Sequence, residues 1–220
     1  MYPQVPLNIP FVSPEDTILA SHQVLETMRS RRSVRFFSPQ QVPEATISNL
    51  LCLAGLSPSG ANKQPWTFCV VSNPNLKRQI REAAEQEEKL SYEKRMSGEW
   101  LADLAPLGTD WHKPFLETAP YLIIIFRHAW TIEKDGKKGQ TYYSIESTGI
   151  ASGMLISAIH QCGLVTLTHT PSPMGFLKTI LGRPENERPF LLLPIGYPAE
   201  DATVPELPKK ALSDFVYWYK

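Results

Sequence analysis

The sequence predicts one domain of three layers, either α+β or α/β, in which helices cover a central sheet. Segments with helical periodicity alternate along the chain with short apolar or β-branched runs. The length of 220 residues matches one domain and suffices to bury a core without disulfides. An apolar content of 42% and a charged content of 20% are typical of a globular protein and argue against disorder.

The first part of the chain is predicted to contain an extended arm, two helices and a strand. Residues 1–13 carry three prolines and no helical periodicity, which indicates the arm. Ser13 is a suitable cap, and Pro14 a suitable first residue, for the helix that follows. A second helix is predicted at 43–55, and β-branched and aromatic side chains predict a strand at 67–72.

The second part begins with a highly charged helical stretch at 75–105. Residues 121–126 are apolar throughout and predict a buried strand. Residues 144–161 predict a helix with a poor polar face, which we expect to be buried against a partner helix. The shorter predicted elements are a polar turn at 133–139, a strand at 164–168, a helix at 177–181 and a strand at 190–197. The aromatic C-terminal tail, like the arm, needs a surface to cover and favours an intertwined oligomer.

Charge and cysteine content argue against several classes of function. Lysine plus arginine and aspartate plus glutamate both number 22, so we expect no general binding to nucleic acid or to anionic membranes. Cys52, Cys69 and Cys162 lack metal-binding spacing and have apolar neighbours, so we expect buried, reduced thiols and no metal site. The N-terminus shows no signal-peptide pattern, and the run 119–126 is too short to cross a bilayer. We therefore expect a cytoplasmic protein.

A cluster of arginines is the first motif with candidate chemistry. Arg31, Arg32 and Arg35 lie within five residues, and the hydroxyl of Ser33 lies between them. Three guanidinium groups suit a phosphate or another polyvalent anion. The alternative is a solvated helix end whose charges complement the helix dipole.

The loop PSGANKQPWTF at 58–68 is the second motif. Its small residues let backbone N–H groups approach a ligand closely, and its prolines stiffen the chain. The alternative is an ordinary connection between a helix and a strand.

Taken together, the two motifs resemble the flavin-binding signature of the nitroreductase superfamily. The signature reads RRSVR at 31–35, followed by P-S-x-x-N-x-Q-P-W-x-F at 58–68. The strings GRP at 182–184 and LLLPIGYP at 191–198 resemble later landmarks of that superfamily. The resemblance implies an α+β fold with a mostly antiparallel sheet flanked by helices, an intertwined homodimer, and FMN at the dimer interface.

Within that superfamily, longer strings resemble the iodotyrosine deiodinase family. These strings are EQEEKLSYEKRM at 85–96, WHK at 111–113, GLVTLTHTP at 163–171 and ATVP at 202–205. The resemblance implies a single domain over 1–220, with an active-site lid at about 84–113 and a C-terminal extension at about 205–220. Animal members carry an N-terminal membrane anchor, whereas this chain is similar to a soluble, bacterial-type member.

The implied activity is the FMN-dependent reductive dehalogenation of halotyrosines, which converts mono- or diiodotyrosine to tyrosine and iodide. Reduced flavin passes electrons one at a time in this interpretation, and NAD(P)H or an unidentified reductase supplies them. One alternative is a general NAD(P)H-dependent nitroreductase or flavin reductase, which would be indifferent to the substitution Lys113→Ala. The others are a binding module without turnover and, more distantly, a relative that fragments flavin.

Three lid residues are candidates for substrate binding. Glu88 and Tyr92 are four residues apart and share one helix face, and Lys113 reaches the same place if the segment folds over. These groups complement an amino-acid zwitterion, with Glu88 for its ammonium, Lys113 for its carboxylate and Tyr92 for either. A solvated charged helix is the alternative. The resemblance adds the backbone N–H of Ala61 as a donor to the substrate phenolate.

The resemblance also implies the FMN contacts. They are Arg31, Arg32, Ser33 and Arg35 near the phosphate and pyrimidine ring, Pro58, Ser59 and Gly60 in the loop, and Thr168, His169 and Thr170 beside the isoalloxazine. Lys209 or Lys210 stands where the family has an arginine, and lysine keeps the charge but loses the bidentate fork. Thr170 is the predicted catalytic residue, because its hydroxyl would bond flavin N5 and favour one-electron steps. His169 is not expected to act as a general base.

Overall fold

The computed structural model describes residues 3–220, so Met1 and Tyr2 of the predicted arm lie outside the described residues. The chain divides into two compact units, with the division between Arg31 and Arg32. The single domain over 1–220 stays a prediction.

The first unit contains an irregular segment and one helix. Residues 3–13 adopt no regular secondary structure. The helix α1 (Pro14–Arg29) begins as predicted, because the Ser13 hydroxyl oxygen accepts a hydrogen bond from the Asp16 N–H at 3.1 Å. No residue of α1 is buried, and apolar Ile18 is 70% exposed.

The second unit alternates helices and strands. In chain order these are α2 (Glu44–Gly55), β1 (Trp66–Val71), α3 (Pro74–Leu90), α4 (Gly98–Leu104), α5 (Phe115–Thr118), β2 (Tyr121–His128), β3 (Thr131–Ile132), β4 (Lys138–Gly139), α6 (Ser144–Gln161), β5 (Val165–Thr166), α7 (Gly175–Ile180) and β6 (Glu187–Gly196). The helix α6 has the predicted bounds. The predicted charged stretch at 75–105 is divided into α3, a π-helical turn at Ser91–Arg95, and α4.

The main sheet has the strand order β1-β2-β6-β5, and neighbouring strands are antiparallel. In the register of the sheet, Ile124 of β2 lies opposite Cys69 of β1 and Leu192 of β6. A single parallel bridge, between Ser33 and Thr166, is added at the β5 edge of the described sheet. The pairing confirms the α+β class with a mostly antiparallel sheet.

Residues 122–126 of the strand β2 are apolar and buried because helices cover both faces of the sheet. Leu122, Ile124 and Phe126 face one core, which also contains Ile80 of α3 and Leu177 of α7. Alternate residues face a second core, and its members from the strand and the helices are Ile123, Ile125, Ile47, Leu50, Leu155 and Ile159. The strand is therefore buried and the domain has three layers, as the sequence predicts.

Several local features differ from the sequence-based expectations. The strand predicted at 164–168 is shortened to β5, and His169 pairs with Leu192 only as an isolated bridge. The short helix α5 was not predicted, since four residues carry too little periodicity. The expectation of buried thiols is wrong for Cys52 and Cys162, which are both exposed. Cys52 lies on the outer surface of α2, and Cys162 lies at the C-terminal end of α6.

A buried carboxylate network joins three strands of the sheet. The Glu187 side chain accepts two hydrogen bonds from Arg183, each 2.7 Å long, and one from the Thr67 hydroxyl at 2.7 Å. His128 Nε2 lies 2.9 Å from the same hydroxyl oxygen. Burial alone would raise the pKa of Glu187, but the bonds from Arg183 and Thr67 outweigh it and hold that pKa below its ordinary value. The network fixes Arg183, of the GRP string, to the sheet.

No helix within the described residues 3–220 is long and apolar enough to span a membrane.

Candidate active site

A cavity of about 360 Å³ lies between the end of α3, the turns that follow it, and the segment after β5. The described residues that line it include seven of the predicted site residues, which are Arg35, Glu88, Tyr92, Lys113, Thr168, His169 and Thr170. Sequence reasoning missed the other lining residues, which are Ser91, Arg95, Met96, Trp100, Leu104, Thr109, Phe115, Leu167 and Ser172. Helical spacing from Glu88 could have indicated Ser91 and Arg95, but no signal marked the apolar members.

The predicted lid is a chain of helical turns that folds back on α3. Ser97 caps α4 by accepting the Trp100 N–H at 3.2 Å. Gly108 ends the following turn with φ of +58°, a left-handed conformation that favours glycine. The chain then returns toward α3, so that Lys113 lies beside Glu88 as predicted.

Two hydrogen bonds tie the lid to the segment after Thr170. The Ser91 hydroxyl donates to the Ser172 carbonyl at 3.2 Å, and Arg95 donates to the same oxygen at 3.3 Å. Arg95 also pairs with Glu87 at 2.7 Å. These contacts close the cavity along the side of the lid that faces the strand end.

A buried ion pair dominates the electrostatics of the cavity. Lys113 Nζ lies 3.7 Å from Glu88 Oε2, and the two side chains are only 5% and 12% exposed. Burial lowers the pKa of Lys113 and raises that of Glu88, and the attraction between the two charges opposes both shifts. Lys113 Nζ also donates to Thr109 Oγ1 at 3.4 Å and to the Asp110 carbonyl. Each charge therefore has a partner, and the pair is neutral overall.

Tyr92 stands beside this pair as a neutral hydrogen-bond donor. Its hydroxyl donates to the Thr109 carbonyl at 3.2 Å, and Lys113 Nζ lies 5.8 Å from its ring centre. Burial raises the pKa of Tyr92, so the phenol stays protonated at neutral pH. A carboxylate, an ammonium and a phenol thus converge within one cavity.

The segment after β5 presents alternating side chains. Thr168 and Thr170 are exposed and line the cavity, whereas His169 between them is buried. The His169 backbone is fixed by hydrogen bonds of 2.9 and 3.0 Å to Leu192. The His169 ring meets the Phe115 ring edge-on at 5.6 Å, and Nε2 has no hydrogen-bond partner among the described residues. A buried polar atom of this kind calls for a partner from outside the chain, such as a bound polar molecule.

His169 is neutral throughout the physiological range. Burial, together with Lys113 and Arg35, lowers its pKa to about 3. Because the unfolded chain takes up this proton near pH 6.5 and the folded chain does not, stability falls as pH drops from about 6.5 toward the folded pKa. Between pH 7 and pH 5 we expect the free energy of unfolding to fall by about 2 kcal/mol less in His169→Gln than in the wild type.

Denaturant titrations at pH 7 and pH 5 would measure this difference. His22→Gln, at an exposed histidine of α1, is the control and should follow the wild type. Equal pH dependence in His169→Gln and the wild type would mean that His169 takes up its proton freely in the folded state.

The arginine cluster is not brought together as a whole. The Arg35 side chain lines the cavity and forms no hydrogen bond or ion pair with any residue from 3 to 220. Arg32 donates to the Pro205 carbonyl, and Ser33 is exposed at its bridge to Thr166. Arg31 belongs to the first unit. Of the cluster, Arg35 is the one that lines the cavity.

The loop at 58–64 does not line the cavity of this chain. Its backbone is unusual, since Ala61, Asn62 and Gln64 all have positive φ. Ser59 Oγ accepts the Gln64 N–H at 2.9 Å and holds the turn. A side chain on Gly60 would come within 2.7 Å of the Tyr142 carbonyl, so glycine is required there.

The remaining predicted loop residue, Pro58, is exposed, as are Lys209 and Lys210. None of these three residues lines the cavity. The described residues contain no group of three or more His, Cys, Asp or Glu side chains that could hold a metal ion.

The chain is similar to several known proteins. A family model described as the nitroreductase family matches residues 28–197. The iodotyrosine deiodinase of Haliscomenobacter hydrossis is 57% identical over 211 residues, which span 94% of this chain and 95% of that one. The iodotyrosine deiodinase of Nematostella vectensis is 47% identical over 197 residues, which span 89% of this chain and 75% of that one.

A crystal structure of oxidized iodotyrosine deiodinase bound to FMN and 3-iodo-L-tyrosine is also similar. It superimposes with a TM-score of 0.76 and 31% sequence identity, covering 90% of this chain and 99% of that one.

Proposed function

The chain belongs to the nitroreductase family and, within it, to the iodotyrosine deiodinases, and on this premise we propose that it reductively dehalogenates halotyrosines. In this reaction mono- or diiodotyrosine takes up electrons and a proton, and iodide is released. The observation that supports this substrate class most directly is the buried pair of Glu88 and Lys113, which shares one cavity with Tyr92 and Thr170.

The cavity residues fit FMN, which the similar iodotyrosine deiodinase binds. Arg35 lines the cavity without an internal partner, and the unpartnered Nε2 of His169 and the exposed Thr168 and Thr170 add polar groups. FMN, when bound, supplies the electrons of the reaction, while the protein binds, orients and tunes it. The residues that we assign to FMN are Arg31, Arg32, Ser33, Arg35, Pro58, Ser59, Gly60, Thr168, His169, Thr170 and Lys209.

When the substrate zwitterion binds, the ion pair between Glu88 and Lys113 is replaced by two ion pairs with the substrate. Its ammonium group pairs with Glu88 and its carboxylate with Lys113, while Tyr92 donates a further hydrogen bond. A ligand that carries both charges leaves neither buried side chain unpaired. A ligand with a single charge that separates the pair would satisfy only one of the two side chains, and an unpaired buried charge is costly.

A second copy of the chain completes the site. The Ala61 N–H is the proposed donor to the substrate phenolate, yet Ala61 is exposed and does not line the cavity of its own chain. Large apolar side chains are exposed near both ends of the chain, for example Phe11 and Trp218. Monomers rarely expose so much apolar surface, and a homodimer with FMN at its interface would cover it.

Iodide release is the experiment that tests the function. Purified FMN-loaded protein is given diiodotyrosine with dithionite as reductant, and a sample without enzyme is the control. We expect catalytic release of iodide and formation of tyrosine. NAD(P)H, alone or with a reductase, then replaces dithionite to identify the donor. Reducible bound FMN without iodide release would contradict the proposal and favour a nitroreductase or flavin reductase.

The Thr170 hydroxyl is proposed to form a hydrogen bond with flavin N5 and so to favour transfer of electrons one at a time. Loss of this hydroxyl in Thr170→Ala should reduce the rate of iodide release by about tenfold or more, the worth of one hydrogen bond to a reacting group. Reduction of a nitroaromatic compound by hydride transfer should persist in the same variant.

The control for this prediction is Thr170→Ser, which retains a hydroxyl and should remain close to the wild type. Steady-state rates of both reactions, measured side by side, give the answer. An equal fall in iodide release and nitroaromatic reduction in Thr170→Ala would count against this role.

A further inference from the structure

Helix α3 presents a stripe of charged side chains to the segment that carries Lys113. Lys77, Arg81 and Glu85 follow one another at intervals of four residues, so they share one face of the helix. Lys77 Nζ donates to the carbonyls of Glu117 and Ala119, each at 2.8 Å. The stripe therefore holds the returning chain against the helix from which the lid departs.

Glu85 makes the contact of this stripe that lies nearest to the cavity. Its Oε1 accepts the backbone N–H of Lys113 at 2.7 Å. Its side chain is 14% exposed, and Arg81 neutralises its charge at 3.2 Å. Arg81 Nε in turn pairs with the carboxylate of Glu117. Two ion pairs and one hydrogen bond thus form a continuous series from Glu117 through Arg81 and Glu85 to the backbone of Lys113.

This series attaches the backbone of Lys113 to α3 through contacts within the chain itself. Lys113 precedes α5 and follows a stretch at 108–112 without regular secondary structure, so no backbone ladder holds it. The Glu85 contact attaches it to α3, the same helix that carries Glu88. The separation between the two charges that receive the zwitterion is then set by one rigid element.

We propose that Glu85, supported by Arg81, is a positioning residue that pre-organises Lys113 for the amino-acid end of the substrate. This inference rests on the proposed function and adds a residue that does not itself touch the substrate. Pre-organisation reduces the ordering that binding must otherwise supply, so its loss appears as weaker binding of ligands that use Lys113. Ligands that lack the amino-acid group are not affected.

The test uses the FMN-loaded protein and two ligands, 3-iodotyrosine and 2-iodophenol, which differ in the amino-acid group. Dissociation constants are measured from the fluorescence of the bound flavin. Glu85→Ala should weaken 3-iodotyrosine binding by about tenfold, the size of one lost hydrogen bond to a charged group. It should leave 2-iodophenol binding within about twofold of the wild type.

Two further variants separate positioning from a general structural effect. Glu85→Gln keeps an oxygen that can accept the Lys113 N–H, so it should bind 3-iodotyrosine more tightly than Glu85→Ala. Glu82→Ala, at an exposed acid on the same helix, is the matched control and should resemble the wild type. An equal loss for both ligands in Glu85→Ala, or no loss for either, overturns the inference.

Amide hydrogen exchange at Lys113 tests the positioning without any ligand. Protection should be high in the wild type and in Glu85→Gln and low in Glu85→Ala. Unchanged protection in Glu85→Ala overturns the inference. A wild-type protein that protects this amide but does not bind 3-iodotyrosine would instead overturn the proposed function.

Discussion

Replacing Lys113 with alanine is expected to weaken 3-iodotyrosine binding by about 100-fold or more, corresponding to roughly 3 kcal/mol. The substitution removes the proposed partner of the substrate carboxylate. It also leaves Glu88 buried beside the cavity without a cation, because Lys113 is its salt-bridge partner. Flavin fluorescence titration of the FMN-loaded variant measures the change.

The matched control is Lys94→Ala, at an exposed lysine in the π-helical turn of the lid. It removes the same charge from the same segment and should change the affinity by less than about twofold. Glu88→Gln should also weaken binding, by roughly 1.5–3 kcal/mol. An affinity in Lys113→Ala that equals the wild type would mean that the cavity holds the substrate in another way.

Replacing Arg183 with leucine is expected to lower the free energy of unfolding by about 3 kcal/mol at neutral pH. Arg183 supplies two of the hydrogen bonds that satisfy Glu187, and the Glu187 side chain is only 4% exposed. Its removal leaves a buried carboxylate with the Thr67 hydroxyl but without its cation. Urea denaturation at pH 7 measures the loss.

The stability difference between Arg183→Leu and the wild type should also depend on pH. Because the folded pKa of Glu187 is held below its ordinary value, its stabilisation is present above the unfolded pKa of about 4.3 and is lost as pH falls through the folded value. The difference between Arg183→Leu and the wild type should therefore narrow in acid.

Arg78→Leu, at an exposed arginine of α3, is the control and should be close to the wild type. A double variant in which leucine also replaces Glu187 should recover part of the loss, since no buried charge remains. A loss in the double variant equal to or larger than that in Arg183→Leu would show that packing, not charge, governs this site.

The sequence predicts the helices and strands of the molecule better than it predicts the residues that line the cavity. The bounds of α6 agree with the prediction because its eighteen residues contain no proline and Gly163, with positive φ, follows the end of the helix. The approach of Lys113 to Glu88 depends on the left-handed turn at Gly108, and local periodicity does not contain that information. Resemblance located the lid strings, but neither resemblance nor periodicity indicated Glu85 as a partner of the Lys113 backbone.

The segment after β5 also combines a feature typical of its local sequence with one that depends on packing. Along 168–170 two threonine side chains are exposed and the histidine between them is buried, an alternation typical of extended chain, although the predicted strand ends at Thr168. The absence of a partner for His169 Nε2 among the described residues depends on which side chains pack above it, including Phe115 from a helix that was not predicted.

The contacts between α3 and residues 113–119 also bear on how this protein can change in evolution. They join the two ends of the lid to one helix, so the segment between them is a loop closed at its base. The cost of closing such a loop rises only slowly with its length. Insertions and deletions between Ser97 and Asp110 should therefore leave the sheet and its two cores intact. Sequence changes confined to this segment would alter the cavity lining at Trp100, Leu104 and Thr109. The residues proposed to hold FMN lie outside the segment and would stay the same.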